Sequence, residues 1–321
     1  MHPRDTDSGV SQHDDAVHHP PPNDDCDGES ESITIRQRYE LGSCLGKGSF
    51  GRIYRMHDQL TGLDVAAKLE HTSSKHPQVV YESKIYDAVM GHANIPNVHT
   101  SFQEGEYNIL VMDMLGASLE DLIKERPGGA FSLRTVLLLA RQLINVLQHL
   151  HEKDFIHRDI KPENFLMGTQ HTSSIVYLID MGLVKRYRQH DQHIFKKTNK
   201  SLVGTVRYAS VDTHRGIEQS RKDDMESLGY MLVYLLKGSL PWQNMHGDTL
   251  SQKYEKIHRV KTSTSLDALC ADVPGAFCEY LRMCREMAFD ERPDYDGMRH
   301  LFNKLMEENG FSYDDHDYDW S

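Results

Sequence analysis

Short stretches of alternating apolar and polar residues fill the chain from Tyr39 onward. The stretches YELGSCLG, GRIYRMHD and DVAAKLE are separated by turn residues, which predicts three antiparallel β-strands that follow one another in a meander. HPQVVYESKIYDAVM then places its apolar residues close to helical spacing, and YNILVMDML predicts a further strand. This pattern indicates a small β-rich lobe with one helix.

Longer helical patterns follow Leu115. The clearest predicted helices are SLRTVLLLARQLINVLQHLHE and DDMESLGYMLVYLLKG. Residues 228–236 are apolar on every side of the second helix, which predicts that it lies in the middle of a lobe and not on its surface. We therefore expect an α+β fold with two lobes, of which the second is larger and mostly helical.

Composition limits the class of protein. With 321 residues, 38% of them hydrophobic, the chain can bury a large core. It contains no run of about 18 apolar residues, and its first residues lack the apolar centre of a signal peptide, so we expect neither a membrane span nor secretion. The five cysteines are widely spaced and form no CxxC pair, which favours reduced thiols over disulfides or a zinc site.

The net charge of −12 is concentrated at the two ends of the chain. Residues 1–32 hold nine acidic residues and one arginine, and residues 311–321 hold four acidic residues and no basic one. The segment between them is neutral, and we expect no nucleic-acid partner because phosphate contacts need clustered Lys and Arg. Residues 1–36 are rich in Asp, His, Ser and Pro and hold few large apolar residues, which predicts a disordered acidic tail.

HRDIKPENFL, residues 157–166, brings a carboxylate, an amine and a side-chain amide together at Asp159, Lys161 and Asn164. A second carboxylate, Asp180, follows an apolar strand in VYLIDMGLVK. Asp159 can orient a hydroxyl and receive its proton, and Lys161 can neutralise a phosphate. Asn164 and Asp180 offer the oxygen ligands that Mg²⁺ prefers. Each residue alone is a common turn cap, but the joint spacing favours a site for phosphoryl transfer.

Two features of the β-rich lobe agree with phosphate binding. GKGSFG holds Gly46, Gly48 and Gly51 between two strands, a context that argues against a dinucleotide-binding fold. Glycines let a hairpin approach a phosphate closely, although an ordinary hairpin turn explains the motif equally well. Lys68 lies in an apolar strand, where its ammonium needs an anion such as Glu82 of the next helix. The alternative is a lysine that reaches solvent at a strand edge.

Together these motifs resemble those of eukaryotic protein kinases, and longer stretches resemble the casein kinase 1 family. The general kinase motifs are GKGSFG, VAAK, HRDIKPEN and DMG. The similarity to the narrower family rests on LGASLEDL, SLVGTVRYASVDTHRGIEQSRKDDMESLGY, GSLPWQ and FSYD. The resemblance implies a bilobal protein-kinase fold over residues 37–319, with an N-lobe at 37–112, a hinge at 113–116 and a C-lobe at 117–319. It also implies a serine/threonine kinase that transfers the γ-phosphate of ATP.

The resemblance assigns residues to the nucleotide, the metal ion and the chemistry. Met112 is similar to the gatekeeper of the family, residues 113–115 to the hinge that pairs with adenine, and Ile53 to the residue above the ring. Asn164 and Asp180 would bind Mg²⁺. The residues implied in ATP binding are Gly46, Gly48, Gly51, Ile53, Ala66, Lys68, Met112, Asp113, Met114, Leu115, Leu166 and Asp180. The residues implied in catalysis are Lys68, Glu82, Asp159, Lys161 and Asn164.

Members of the family are similar in preferring Ser or Thr three residues after a phosphorylated or acidic residue. Arg207 and Lys253 match the positions that recognise the substrate phosphate. Arg158, Lys185 and Lys200 match a second anion site that keeps the activation segment ordered without its own phosphorylation. The alternative is that these are scattered surface charges, above all for the flexible Lys253.

Two departures from the family pattern limit the comparison. DMG replaces DFG, so Met181 substitutes a flexible thioether for phenylalanine, and we expect retained catalysis with altered inactive-state preferences. Ser210, Val211 and Asp212 stand where the family has Ser-Ile-Asn, and Asp212 is expected to add negative charge near the substrate groove.

An active serine/threonine kinase is the favoured function, and a pseudokinase scaffold or a kinase-fold enzyme acting on small molecules are the alternatives. The intact charged residues argue against a scaffold, which has no need of them. ATP, Mg²⁺ and acidic or phosphorylated proteins are the expected cofactors and partners, and we expect a monomer in the cytoplasm, the nucleus or both. Serines 8, 11, 30 and 32 match the preferred spacing and predict autophosphorylation of the tail, with a tail that only aids solubility as the alternative.

Overall fold

The computed structural model of the chain describes residues 33–48, 51–75 and 77–321. The predicted acidic tail up to Ser32 and its candidate phosphorylation sites lie outside these residues. Ser49 and Phe50 of the glycine-rich motif, and His76, lie outside them as well.

A six-stranded antiparallel sheet forms most of the N-lobe. Its strands are β1 Thr34–Ile35, β2 Tyr39–Gly48, β3 Gly51–Asp58, β4 Leu63–His71, β5 Val98–Glu104 and β6 Tyr107–Asp113. They lie in the order β1-β2-β3-β4-β6-β5, so that β4 and β6 are neighbours with a strand on either side of the pair, and β6 ends at the predicted hinge. The meander predicted for β2, β3 and β4 is present.

The alternation of side chains decides which face of the sheet is buried. In β3, Tyr54, Met56 and Asp58 are buried whereas Arg55 and His57 are exposed, as expected when successive side chains point to opposite faces. The residues of the small apolar core on this sheet are Ile35, Tyr39, Met56, Val65, Ala67, Ile109 and Val111.

Helix α1, Val79–Val89, packs against the sheet and also contacts the C-lobe core. Its buried residues Ile85, Tyr86 and Val89 belong to the large apolar core that continues into the C-lobe. The Tyr86 hydroxyl accepts a hydrogen bond of 3.2 Å from the backbone amide of Asp180. The helix therefore joins the two lobes beside the residues implied in phosphoryl transfer.

The C-lobe is mostly helical. Its helices are α2 Leu119–Glu125, α3 Leu133–Glu152, α4 Val211–His214, α5 Arg221–Lys237, α6 Leu250–Ser263, α7 Leu266–Leu269, α8 Gly275–Glu286 and α9 Tyr295–Glu308. Ser132 caps α3 by accepting a hydrogen bond of 3.2 Å from the Thr135 amide. Helix α5 is buried from Arg221 to Leu235, which confirms its predicted place in the middle of the lobe.

Short strand pairs border the predicted site within the C-lobe. These strands are β7 Phe155–Ile156, β8 Phe165–Met167, β9 Val176–Leu178, β10 Lys185–Arg186, β11 Arg188–Gln189 and β12 Gln192–His193. Strand β7 pairs with β10, β8 with β9, and β11 with β12. Because β7 leads into HRDIKPEN and β9 leads to Asp180, both halves of the predicted site begin at hydrogen-bonded strands.

The two-lobed α+β architecture is confirmed, but two strands of the N-lobe differ from the prediction. The predicted tail extends to residue 36, which is wrong for Thr34 and Ile35, because these residues pair with β2 and Ile35 is buried beside Tyr39. Strand β5 is not predicted, since VHTSFQE is an edge strand with no fully buried residue and shows little of an apolar pattern. None of the described helices has the length and apolar composition needed to cross a bilayer.

Candidate active site

A carboxylate from the buried helix α5 holds the loop that carries Asp159. Asp224 accepts hydrogen bonds from the backbone amides of His157 (2.7 Å) and Arg158 (2.8 Å). Arg158 has a left-handed backbone (φ 70°), a conformation that is unfavourable for a residue with a side chain. The two bonds stabilise this conformation and so fix the backbone immediately before Asp159.

Asp159 is buried, and both of its carboxylate oxygens have partners. Lys161 Nζ lies 2.7 Å from Oδ2, and Thr205 donates to Oδ1 through its backbone amide (2.7 Å) and its hydroxyl (2.7 Å). Burial by itself raises the pKa of Asp159, but the hydrogen bonds from Lys161 and Thr205 outweigh burial and lower it below its ordinary value. The group is therefore an ionised carboxylate that can orient a hydroxyl and accept its proton.

Thr205 reaches Asp159 because the residue before it is glycine. Gly204 has φ 93°, and a Cβ at this position would collide with the carbonyl oxygen of Arg158. The sequence prediction does not include Thr205, although the Gly-Thr pair that precedes Arg207 is a signal for such a close approach.

The amide of Asn164 is oriented by the same loop. Its Nδ2 donates to the carbonyl oxygen of Asp159 (2.9 Å), while no donor among the described residues contacts its Oδ1. The carbonyl of Asn164 in turn accepts a hydrogen bond of 2.9 Å from the amide of Ile179. This bond joins the Asn164 turn to the segment that ends at Asp180.

Asp180 completes a donor set suited to a magnesium ion. Its backbone is left-handed (φ 63°, ψ 75°), and its buried Oδ1 accepts no hydrogen bond within the described chain. Carboxylate and amide oxygens are the ligands that Mg²⁺ prefers. Asp180 Oδ1 forms no hydrogen bond among the described residues, and its contact with Nζ of Lys68 is an ion pair at 3.5 Å. Asn164 and Asp180 therefore fit the ion that the resemblance assigns to them.

Lys68 lies in an ion pair with Glu82, and its Nζ also lies 3.5 Å from Oδ1 of Asp180. The side chains of Lys68 and Glu82 are only 10% and 1% exposed, so the lysine does not reach solvent at a strand edge. Burial alone lowers the pKa of Lys68, but the carboxylates of Glu82 and Asp180 outweigh it and raise the pKa. Burial raises the pKa of Glu82 to about 7, and Lys68 opposes that rise. The ammonium of Lys68 is therefore charged and available to a phosphate.

A carboxylate of β4, Glu70, fixes the helix that carries Glu82. Glu70 is 2% exposed and accepts hydrogen bonds from the backbone amides of Gln78 (2.7 Å) and Val79 (3.2 Å) at the start of α1. These amides have no partner within the helix, so Glu70 caps it from a neighbouring strand. The sequence prediction does not include Glu70, because its partners are backbone groups.

The glycine-rich motif joins β2 and β3. Gly46 lies opposite Ile53 and Gly48 lies opposite Gly51. A Cβ on Gly51 would collide with the carbonyl oxygen of Leu69 in β4, which explains the need for glycine at this position.

The apolar residues implied in adenine binding come from both lobes and the predicted hinge, and all of them are half-buried. These residues are Ile53, Ala66, Met112, Met114, Leu115 and Leu166. Ala66 lies opposite Met112 in the sheet, and the amides of Met114 and Leu115 donate to no acceptor among the described residues.

The side chain of Asp113 anchors the predicted hinge to the segment that precedes β5. Its carboxylate accepts hydrogen bonds from the backbone amide (2.9 Å) and the side chain (2.8 Å) of Asn97. The hinge is thereby anchored through a side chain while its next amides remain available.

The two residues implied in recognising the substrate phosphate differ in their surroundings. The guanidinium of Arg207 lies 5.7 Å from the ring centroid of Tyr208 and 5.8 Å from that of Tyr234, and it forms no ion pair within the described chain. Lys253, on α6, is half-buried and likewise has no ion-pair partner among the described residues. Both cations are therefore available to an external anion.

The residues implied in the second anion site already have an internal anion. Glu218 places its carboxylate 2.9 Å from Nζ of Lys185 and 3.5 Å from Nζ of Lys200. Arg158 donates from Nε to the carbonyl of Leu183 (2.7 Å). Glu218 thus neutralises the two lysines that the resemblance assigns to a bound anion, and the sequence prediction does not include it.

The two departures from the family pattern have clear locations. Met181 is fully buried in the large apolar core, next to Asp180.

The carboxylate of Asp212 is paired with two cations. It lies 2.7 Å from Nζ of the buried Lys222 and 3.2 Å from Nη1 of Arg215. Burial opposes ionisation of Asp212, but Lys222 and Arg215 lower its pKa. The negative charge expected of Asp212 is therefore neutralised inside the protein, which corrects the expectation of added charge at the substrate groove.

A comparison with protein families places this geometry in context. The sequence matches the protein kinase domain over residues 39–303, which is most of the chain. The matched range contains the glycine-rich motif, the Lys68–Glu82 ion pair, the Asp159 loop and Asp180. The chain therefore belongs to the protein kinase family.

Proposed function

We propose that the chain is an active serine/threonine kinase that uses ATP and Mg²⁺ and selects acidic or phosphorylated protein substrates, as the casein kinase 1 family does. Membership of the protein kinase family supplies the phosphotransferase class. The activity, the acceptor residue and the substrate preference are the proposal.

One observation carries the proposal of an active enzyme over that of a scaffold. The buried ammonium of Lys68 lies between Glu82 and Asp180, while Asp159 is held by Lys161 and Thr205. Burying such charges is costly, and a protein that only binds partners gains nothing from keeping them in this arrangement. Lys68, Glu82 and Asp180 contact one another from three separate segments of the chain, and the bond from the Ile179 amide to the Asn164 carbonyl joins the Asp159 loop to the segment that ends at Asp180. This arrangement supports phosphoryl transfer.

Each residue has a task that follows from its position. Lys68 binds the phosphates of ATP, and its ion pair with Glu82 fixes its direction. Asn164 and Asp180 would hold Mg²⁺, which would supply positive charge to offset the charge of the phosphates. Asp159 orients the acceptor hydroxyl and receives its proton, while Lys161 neutralises the phosphoryl group as it is transferred.

The substrate preference is supported by Arg207. A half-buried guanidinium that has no carboxylate partner in the described chain is suited to an anion from outside, and its planar shape allows two parallel hydrogen bonds to a phosphate. Arg207 follows Thr205, which contacts Asp159, by two residues. Arg207 therefore belongs to the same short segment as the residue that contacts Asp159, which supports a phosphate site near the acceptor hydroxyl.

The test is transfer of radioactive phosphate from ATP to casein in the presence of Mg²⁺, followed by identification of the labelled amino acid. We expect labelled serine or threonine with the wild type and a loss of about 10²- to 10⁴-fold with Asp159→Asn, since the carboxylate acts in the transition state. Asp87→Asn, at an exposed position of α1, is the matched control and should retain full activity. No labelling by the wild type would favour the scaffold, and labelling of small molecules alone would favour a kinase-fold enzyme that acts on small molecules.

A further inference from the structure

A fully buried lysine, Lys261 of α6, contacts the loop that carries Arg207. Its Nζ donates to three backbone carbonyl oxygens of that loop, those of Val206 (3.2 Å), Arg207 (3.2 Å) and Ala209 (2.5 Å). An amine that binds several carbonyl groups of one short segment fixes the path of that segment, because any displacement leaves buried acceptors without a donor.

The surroundings of Lys261 accommodate an amine in the core without a paired carboxylate. Its Nζ lies 5.0 Å from the ring centroid of Tyr230 and 4.9 Å from that of Trp242, within the range of cation–π contacts. It also lies 3.2 Å from Nε2 of His214, whose pKa is lowered to about 3 by burial and by the lysine, so that the neutral ring can accept a hydrogen bond. Burial lowers the pKa of Lys261 to about 7, and the amine retains N–H donors on either side of that pH.

The carbonyl of Arg207 is held a second time from another direction. Trp242 donates to it from Nε1 at 2.7 Å. The backbone of Arg207 is therefore fixed by two buried donors, whereas its guanidinium forms a single hydrogen bond among the described residues, to the hydroxyl of Tyr208 at 3.5 Å. The direction of this guanidinium depends on where Lys261 and Trp242 place the backbone.

The same helix supplies the other residue implied in phosphate recognition. Lys253 and Lys261 both belong to α6, eight residues or about 12 Å apart along its axis. Contacts of Lys261 with the loop therefore set the position of Arg207 relative to the helix that carries Lys253.

We infer that Lys261 is a positioning residue for substrate selection, which holds Arg207 in place relative to Lys253 so that the two cations can bind one phosphate on the substrate. This inference rests on the proposed preference for phosphorylated substrates. Lys261 itself contacts neither substrate nor nucleotide.

A lysine that only stabilises the fold has different consequences. Its loss would lower the activity toward all substrates in proportion to the loss of folded protein. Loss of a positioning residue raises KM for the phosphorylated substrate selectively and leaves kcat and the activity toward uncharged substrates close to normal.

The experiment compares three peptides that are identical except at the third residue before the acceptor serine, where they carry phosphoserine, aspartate or alanine. Lys261→Met, Trp242→Phe and Arg207→Ala are measured beside Lys256→Met, a matched control at an exposed position of α6. We expect Lys261→Met to raise KM for the phosphopeptide about tenfold, which corresponds to the loss of one well-placed interaction. KM for ATP, kcat, and kcat/KM for the alanine peptide should change less than about twofold.

The variants separate failure of this inference from failure of the proposed function. If Arg207→Ala does not raise KM selectively for the phosphopeptide, the proposed preference is wrong. If Arg207→Ala does so but Lys261→Met affects the three peptides equally, the inference is wrong. Should Lys261→Met fail to fold, Trp242→Phe decides, since it removes one donor to the Arg207 carbonyl and retains an aromatic ring in the core. A selective rise of about threefold supports the inference, and an equal change for all peptides overturns it.

Discussion

Asp224 accepts a hydrogen bond of 2.8 Å from the backbone amide of Arg158, the residue whose left-handed conformation immediately precedes Asp159. The donor and the acceptor lie 66 residues apart in the sequence, and the acceptor belongs to the most buried helix of the C-lobe. The position of the proposed catalytic carboxylate is therefore set from the core and not by its own loop.

This relationship predicts a loss of activity in Asp224→Asn without loss of the fold. Asparagine keeps the shape of the side chain but has one acceptor oxygen, so that the amide of either His157 or Arg158 loses its partner. A small displacement of Asp159 should lower kcat about 10- to 100-fold. The measurement is steady-state kinetics with casein, together with the melting temperature. An unchanged kcat in the folded variant would show that the loop keeps its conformation without Asp224.

The ion pairs of Glu218 with Lys185 and Lys200 predict that the conformation of the activation segment depends on an internal carboxylate. In Glu218→Gln, Lys185 and Lys200 lose their shared partner, and we expect the segment that includes Lys200 to become susceptible to trypsin while kcat/KM for casein falls several-fold. Because the two lysines are then available, added sulfate or phosphate should restore part of the activity of the variant but not stimulate the wild type.

The control for this prediction is Glu255→Gln, which removes an exposed carboxylate whose single ion-pair partner within residues 33–48, 51–75 and 77–321 is Arg259 of the same helix. Surface pairs of this kind contribute little, so trypsin sensitivity and activity should match the wild type. Equal protection of Glu218→Gln and the wild type would contradict the role assigned to Glu218.

The sequence predicts those parts of the molecule that depend on short-range patterns. Strand β3 begins and ends where the alternation of GRIYRMHD begins and ends, and the motifs identify Lys68, Glu82, Asp159, Asn164 and Asp180, which the fold brings together. These residues belong to recurring motifs whose spacing carries the signal.

The residues that position these five side chains cannot be predicted from motifs. Glu70 and Asp224 act on backbone amides, which have no sequence signature, and Thr205 and Glu218 contact partners that are distant in the chain. Their roles depend on which segments the fold places side by side. An acidic residue in an otherwise apolar, buried element, such as Asp224 in α5, is the one signal that the sequence offers.

The two cations that contact Asp212 predict that its replacement does not change the substrate preference, although the charge of Asp212 alone would suggest a change. Because Lys222 and Arg215 neutralise it, Asp212→Asn should leave the preference for acidic peptides unchanged, measured as the ratio of kcat/KM for the aspartate and alanine peptides. The same variant leaves the ammonium of Lys222, which is 8% exposed, without its closest partner. We expect the free energy of unfolding to fall by about 1–3 kcal/mol in urea denaturation. A variant of normal stability with a stronger preference for acidic peptides would restore the original expectation.

The ion pair of Arg38 and Asp58 predicts a pH-dependent contribution to the stability of the N-lobe. Arg38 donates from Nε (2.7 Å) and Nη2 (2.6 Å) to the carboxylate of Asp58, whose side chain is 4% exposed, and the Arg38 guanidinium holds the pKa of Asp58 well below its usual range. A carboxyl group whose pKa is lower in the folded state stabilises the protein at pH values above its unfolded pKa, and this stabilisation is lost as the pH falls below about 4. Asp58→Asn should therefore lower the melting temperature by about 3 °C at neutral pH, and the difference from the wild type should shrink as the pH falls toward 3.

The matched control is Asp64→Asn. It removes the partner of Arg55, a carboxylate that is more exposed than Asp58, and should have a smaller effect on the melting temperature at neutral pH. A difference for Asp58→Asn that stays constant with pH would show that packing, and not the charge of the carboxylate, is responsible.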